Sequence, residues 1–270
     1  MGITKGFLDY LGKRCKQHGI TGSVLTFSRL ETYFDFDTLI EVAVRHGHLP
    51  APLDGNIDLP DSHPMLALLN SGQHLSHHAE FRDKGYPSDQ AVFYALGFSE
   101  AESLDVSDAE GANYRYDLNQ DCISSVIPKQ YDLVIEAGTM EHVFHVPNVL
   151  KNAFHATKVG GYILHSSPAN NFCDHGFYQF SPTLFVDYYA ANGFVVVEAL
   201  LLQIASNESP WFVLDYSPGA LASTQYGGLD DKMYGVVCLV RKTAQSTCDK
   251  IPLQGSYLNN PEWRQGLAGA

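Results

Sequence analysis

Tyr131-Asp132-Leu133-Val134-Ile135-Glu136-Ala137-Gly138-Thr139-Met140-Glu141-His142-Val143 is the stretch on which the fold of this chain turns. Its first six residues form a short, largely apolar run that predicts a buried strand, and Ala137-Gly138-Thr139 supplies a turn. A helix follows, with Pro147 near its start and Val146, Val149, Leu150, Ala153 and Phe154 lining one face. Lys158-Val159-Gly160-Gly161 closes that helix, and residues 162–165 read as the next strand. Strand, helix and strand in succession are the crossover unit from which parallel sheets are built.

Upstream, Phe7, Leu8, Leu11 and Cys15 recur at helical spacing, so residues 1–20 are expected to add an N-terminal helix that stops at Gly19. Residues 23–27 predict a first strand. Phe36, Leu39, Ile40, Ala43 and Val44 give the stripe of a second helix. Prolines, glycines and polar residues then break the pattern, and residues 47–87 are expected to form an inserted lid with one helical piece near residues 65–75. Asp89 is expected to cap a helix ending at Gly97, before strands at residues 101–106 and 113–118. Downstream, Ser181-Pro182 caps another helix, which ends at Asn192-Gly193, and strands follow at residues 194–202 and 233–241. The expected architecture is one α/β domain over residues 1–270, a mainly parallel sheet with helices on both faces and an antiparallel strand near the end.

The chain has 270 residues, 45% of them hydrophobic, which is ample material for a core. Seventeen Lys and Arg against 30 Asp and Glu leave a net charge of −13, and the short basic runs do not make a phosphate-tracking surface, so no nucleic-acid partner is expected. No apolar run reaches the roughly 20 residues of a membrane span. With five scattered cysteines, no Cys-x-x-Cys pair and no leader-like start, the chain reads as cytoplasmic. A small-molecule partner is expected, a homo-oligomer is left open, and Trp263 is a candidate anchor for the tail.

In an open parallel sheet the ligand crevice lies beyond the carboxyl ends of the strands. Those ends carry Phe27-Ser28-Arg29, Asp105-Val106-Ser107, Asp117-Leu118-Asn119, Glu136-Ala137-Gly138-Thr139 and His165-Ser166-Ser167. Asp105, at the end of the second strand, is suited to ribose hydroxyls, and Asp117 to an adenine amino group, although Asp-Leu-Asn is also a good turn.

The run from Tyr131 through Gly138-Thr139-Met140-Glu141-His142, with Leu150 and Lys158-Val159-Gly160-Gly161, resembles the fourth-to-fifth-strand region of class I S-adenosylmethionine-dependent methyltransferases. The similarity covers roughly residues 88–241, with Val159 where that family usually has proline. It implies a Rossmann-like methyltransferase fold, S-adenosylmethionine as cofactor, and methyl transfer to an oxygen or nitrogen of a small polar metabolite. It also implies a cofactor site of Phe27, Ser28, Arg29, Asp105, Val106, Asp117, Leu118, Glu136 and Gly138. The first strand departs from the pattern: Leu25-Thr26-Phe27-Ser28-Arg29-Leu30-Glu31 stands where the family carries a glycine-rich loop. Side chains there would crowd or rebuild the wall against the cofactor, and Ser28 and Arg29 are candidates to grip its carboxylate.

For catalysis, His142 is a candidate general base beside Glu141. Residues 170–182 interleave polar and aromatic groups over the crevice, with His175 as proton acceptor, Asp174 as its orienting carboxylate and Tyr178 in the wall. His74, His77 and His78 would share one face of a helix at a spacing that can bind a metal, although no carboxylate or thiolate is placed beside them in the sequence, and a metal is not the leading expectation. Two other readings stand beside methyl transfer: a metal-dependent or otherwise repurposed enzyme on the same fold, and a non-catalytic scaffold or regulatory protein.

Overall fold

A computed structural model describes residues 2–51, 57–207, 209 and 211–258. Residues 52–56 of the expected lid and Trp263 lie outside the described residues. The elements run in the order α1 (Lys5–His18), β1 (Gly22–Phe27), α2 (Phe36–Arg45), α3 (Pro64–Ser71), α4 (Ala79–Asp83), α5 (Asp89–Ala95), β2 (Phe98–Asp105), β3 (Tyr114–Arg115), β4 (Tyr131–Ala137), α6 (Val146–Ala156), β5 (Thr157–Asn170), α7 (Pro182–Ala191), β6 (Val195–Ile204), β7 (Phe212–Asp215), β8 (Met233–Arg241) and α8 (Gly255–Leu258).

The strands form one sheet in the order β3-β2-β1-β4-β5-β8-β6-β7. Pairs β1 to β2, β1 to β4, β2 to β3 and β4 to β5 are parallel, while β8 is antiparallel to both β5 and β6. The winding proceeds from β1 through β2 to β3, then restarts on the other side of β1 with β4. That reversal is the topological switch point of a Rossmann-like sheet. The expected parallel sheet with a late antiparallel strand is found, and a second antiparallel strand, β7, borders β6 at the edge.

Alternation along each strand explains why both faces are covered. Val24, Leu133, Ile135, Leu164, Val237 and Leu239 face a core shared with α1, α2, α3 and α5. Leu25, Phe27, Val134, Ile163, Val236, Cys238 and Val240 face the other core, with α6 and α7. Helix α1 is thus part of a covering layer: Phe7, Leu8, Leu11 and Cys15 are buried in the same core as Val24. Burying an aliphatic or aromatic side chain of this kind contributes about 1.5–3 kcal/mol.

Several local expectations change. Helix α5 is capped by Ser88, whose hydroxyl accepts from the Ala91 amide; Asp89 is instead buried and turned toward Arg29. The third strand shrinks to two residues, because Asp117 folds its carboxylate back onto the Asn119 amide. Residues 140–142 form a single 3₁₀ turn, and α6 begins only at Val146. Lys158-Val159-Gly160-Gly161 does not end a helix but bulges within β5, where Gly160 takes a φ of 86°. The insertion contains α3 and the short α4, with Met65 and Leu68 packed into the core near α5. No helix among the described residues is long and apolar enough to cross a membrane.

Candidate active site

A cleft of about 410 Å³ opens at the switch point, beyond the carboxyl ends of β1, β2 and β4. Ser28, Arg29, Asp105, Val106, Asp117, Leu118, Gly138 and His142 of the expected site line it, joined by Glu31, Glu110, Tyr116, Asn119, Thr139 and Val143. Asp105 accepts a hydrogen bond from the Ser107 amide through Oδ1 at 3.0 Å, and among the described residues nothing donates to its Oδ2. Val106 is 62% exposed and Leu118 is buried, which leaves an apolar surface between the two aspartates.

The turn leaving β1 solves its missing glycines in an unexpected way. Ser28 sits at φ 76°, a left-handed conformation that normally favours glycine. Its amide donates to Leu104 O at 2.7 Å, its carbonyl accepts from Thr26 Oγ1 at 2.7 Å, and its hydroxyl lies 3.0 Å from that of Thr139. Backbone and side-chain bonds together therefore hold the turn open.

Two of the expected cofactor residues do not reach the cleft. The Phe27 ring is fully buried in the core under α6 and α7, so it neither crowds nor walls the cleft; only its carbonyl, accepting from Thr139 Oγ1, touches the site. Glu136 is also fully buried. Its Oε1 accepts from the amides of Thr139 and Met140, each at 2.9 Å, and its Oε2 meets His165 Nδ1 at 3.1 Å and the Ser167 hydroxyl at 3.0 Å. Burial works against ionising Glu136, but the His165 contact and the two amides prevail and hold its carboxyl below the usual range. Its task is to fix the turn that presents Gly138 and Thr139.

Arg29 is engaged as well. Nε and Nη2 donate to the two carboxylate oxygens of Asp89 at 2.8 and 2.7 Å, and Nη1 donates to the carbonyls of Glu110 and Gly111 at 3.2 and 3.4 Å. The Asp89 carboxylate also accepts from the Leu30 amide. Arg29 therefore braces the loop after β1 rather than holding a free guanidinium toward a ligand.

Beside the cleft, Glu141, His142 and His175 come together. Glu141 Oε1 lies 3.6 Å from His175 Nε2 and 3.9 Å from His142 Nε2, and the two imidazole centroids are 5.2 Å apart. Glu141 is completely buried, and neither of its carboxylate oxygens has a hydrogen-bond partner. Burial first, then the charge of Glu136, pushes its pKa up to about 7. Burial and the neighbouring His175 push His142 down, so its ring is neutral near pH 7 and able to take a proton. The carboxylate that approaches His175 is that of Glu141, not Asp174, which sits at φ 67° in the turn before it. Tyr178 is tied down, its hydroxyl donating to Phe144 O at 2.9 Å.

The expected helical histidine face does not form. Residues 72–78 are irregular, and His74 packs edge-on to Phe36, away from its neighbours. His77 and His78 instead meet Glu110 and Glu31. A second cleft of about 790 Å³ lies beyond the end of β5, with Asn170, Gln179, Thr183, Asp187 and Tyr216 in its wall.

Thr139 and Asn119 stand at strand ends already marked in the sequence and Tyr116 falls within the expected third strand, whereas Glu110 lies in an aperiodic loop where no local pattern marks a residue that faces a cleft.

Neither a family model nor a curated protein matches the chain. Among solved structures it is similar to TehB from Haemophilus influenzae, at 18% identity and a TM-score of 0.37, over 57% of this chain and 55% of that one. It is also similar to a S-adenosylmethionine-dependent methyltransferase from Clostridium acetobutylicum, at 10% identity and a TM-score of 0.36, over 89% of this chain and 92% of that one. A third is an O-methyltransferase from the trans-AT PKS multienzyme of Brevibacillus brevis in complex with S-adenosyl-L-homocysteine. There the identity is 11% and the TM-score 0.43, over 98% of this chain and 82% of that one. This chain thus spans just over half the length of TehB.

Proposed function

We propose that this protein transfers a methyl group from S-adenosylmethionine to an oxygen or nitrogen of a small polar molecule. The observation that carries the proposal is the cleft at the switch point, with Asp105 at the tip of β2 offering an unengaged carboxylate oxygen. A carboxylate at that place in a doubly wound sheet is suited to a ribose diol. The volume of about 410 Å³ falls in the range of cofactor sites.

Bound S-adenosylmethionine supplies a methyl group already activated by its sulfonium, so the chain has to align the partners and remove a proton. Asp105 would accept from the ribose hydroxyls and Asp117 from the adenine amino group, with Val106 and Leu118 against the ring. Ser28 and Gly138, both at positive φ, bring backbone close to the ligand where a glycine loop would otherwise do so. His142 lines the cleft, and His175 stands behind it against Glu141. Neutral His142 would take the acceptor's proton, and His175 with Glu141 would balance the charge that develops.

The segment that carries His175 also contributes Asn170 and Gln179 to the second cleft, whose wall combines uncharged polar side chains such as Thr183 and Tyr216 with apolar ones such as Phe180 and Leu201, as a small hydroxyl- or amine-bearing acceptor needs.

Calorimetric titration of untagged protein with S-adenosylhomocysteine tests this. The expected result is about one molecule bound per chain, with Asp105→Ala weakening affinity about tenfold to a hundredfold, the range for losing a charged hydrogen bond. A wild-type chain that binds none, or an Asp105→Ala chain that binds as well as wild type, overturns the reading.

A further inference from the structure

Two histidines and two glutamates meet at the rim of the cleft, drawn from three separate parts of the chain. His77 and His78 lie in the insertion between α3 and α4, Glu31 in the loop after β1, and Glu110 in the loop after β2. His77 Nε2 is 3.5 Å from Glu110 Oε2, and His78 Nε2 is 3.4 Å from Glu110 Oε1 and 3.1 Å from Glu31 Oε1. Ligand atoms of His77, His78 and Glu110 all lie within 4.8 Å of one another. The two imidazole centroids are 4.4 Å apart.

These contacts are close, yet they are not hydrogen bonds. Both ring nitrogens of His77 and Nε2 of His78 are enclosed and lack any hydrogen-bond partner. Buried ring nitrogens in a native structure are normally paired, so three without a partner in one place call for an explanation. Protonating both rings would set two like charges 4.4 Å apart, which is repulsive. A nitrogen and a carboxylate oxygen separated by 3.4 Å but not aligned on each other instead fit lone pairs that face a common third centre. The spacing is metric: with bonds of about 2.0–2.1 Å, a tetrahedral zinc site has ligand-to-ligand edges of about 3.3 Å. The separations of 3.5 and 3.4 Å between the two imidazoles and the Glu110 carboxylate lie close to that value. Those around Glu141, at 3.6 and 3.9 Å, are longer.

We propose that His77, His78 and Glu110 bind one divalent transition-metal ion, with zinc the best match to two imidazoles and a carboxylate and with Glu31 beside them against His78. Imidazole ligands select against magnesium and calcium, which prefer oxygen. Arg29 is close by, but its charge is already matched by the bidentate Asp89. Three protein ligands leave the ion a fourth position for water. It ties the insertion to the loop after β2, whose Glu110 walls the cleft, so the ion sets the position of the rim. The site stands independently of what the cleft binds.

The test uses untagged full-length chain, stripped with a chelator and titrated calorimetrically with Zn²⁺ alone, with melting curves recorded alongside. One zinc per chain and a raised melting temperature are expected, with no comparable response to Mg²⁺. His78→Ala and Glu110→Gln, both at partly exposed side chains, are expected to weaken zinc binding at least about 100-fold and to abolish the rise in melting temperature, since even outer partners of a metal site contribute 10–100-fold. His175→Ala is expected to bind zinc like wild type. Failure of the wild type to bind zinc, Mg²⁺ binding equally well, or loss of binding in His175→Ala in place of His78→Ala would each overturn the assignment. Melting curves of the zinc-free variants, expected to match the stripped wild type, separate lost ligands from lost folding. S-adenosylhomocysteine titration of the stripped chain reads the cleft separately.

Discussion

Ser28 holds a left-handed backbone without being glycine, at φ 76°, in the turn that opens the cleft. Such a conformation costs a non-glycine residue on the order of 1–3 kcal/mol, and the contacts to Leu104, Thr26 and Thr139 offset it. Ser28→Gly removes that strain together with one hydroxyl contact, and is expected to stay within about 1 kcal/mol of wild type in urea unfolding. Ser28→Val, β-branched and without the hydroxyl, is expected to lose about 2 kcal/mol or more. Glu141 makes a pH-dependent contribution. Its pKa rises on folding from 4.5 to about 7, so the folded chain holds the proton more tightly and stability falls as pH rises through that window. Unfolding of wild type and Glu141→Gln at pH 5 and pH 8 should show wild type losing up to about 3 kcal/mol more than the variant over that interval. Parallel pH dependence of the two chains would show that Glu141 does not ionise in this range.

At the level of elements, the loop after β1 and helix α5 are joined by one buried ion pair. Arg29 and Asp89 side chains are 12% and 3% exposed, and Asp89 also accepts from the Leu30 amide. Asp89→Ala leaves a guanidinium without its bidentate partner in a nearly dry position and is expected to cost about 3–5 kcal/mol in urea unfolding. A cost under about 1 kcal/mol would mean that water reaches Arg29 freely. The loop that carries His175 is closed over Glu141 by the Phe177 amide, which donates to Glu141 O at 2.7 Å. Gly176 permits this approach, since a Cβ there would stand 2.8 Å from the same carbonyl oxygen. Helix ends followed the sequence where a side chain caps locally, as Ser181 does for α7. At α5 two adjacent residues, Ser88 and Asp89, could both cap, and the choice fell to Ser88 because Asp89 was claimed by Arg29.

The whole molecule carries a net charge of −13, and its cleft is walled by Asp105 and Asp117 among others. S-adenosylmethionine is cationic at sulfur, whereas its demethylated product is not. Affinity for the former should therefore fall severalfold between low salt and about 0.5 M salt, and affinity for the latter should change much less, because screening acts on the charge difference. Equal salt dependence of the two in calorimetric titration would mean that the acidic field does not act on the sulfonium.

Much of this architecture is written locally. The alternation at Val134, Ile135 and the residues around them, the apolar stripe of α2 and the caps at Asn192 and Ser181 are set by side chains within a few positions of each other, so they show in the sequence without knowledge of the fold. The order of strands and helices, and with it the switch-point cleft lined by Asp105, Val106, Asp117, Leu118 and Gly138, follows from that local grammar. What the tertiary structure decided is which of several similar side chains faces which environment. Glu136 and Asp105 both end a strand, yet one is sealed beneath the turn by His165 and Ser167 while the other opens to the cleft. Arg29 turned to Asp89, 60 positions away, and His77 and His78 turned to Glu110 and Glu31. Such pairings are made by chain segments meeting in space, and the periodicities of single elements, at 3.6 and 2 residues, carry no record of them.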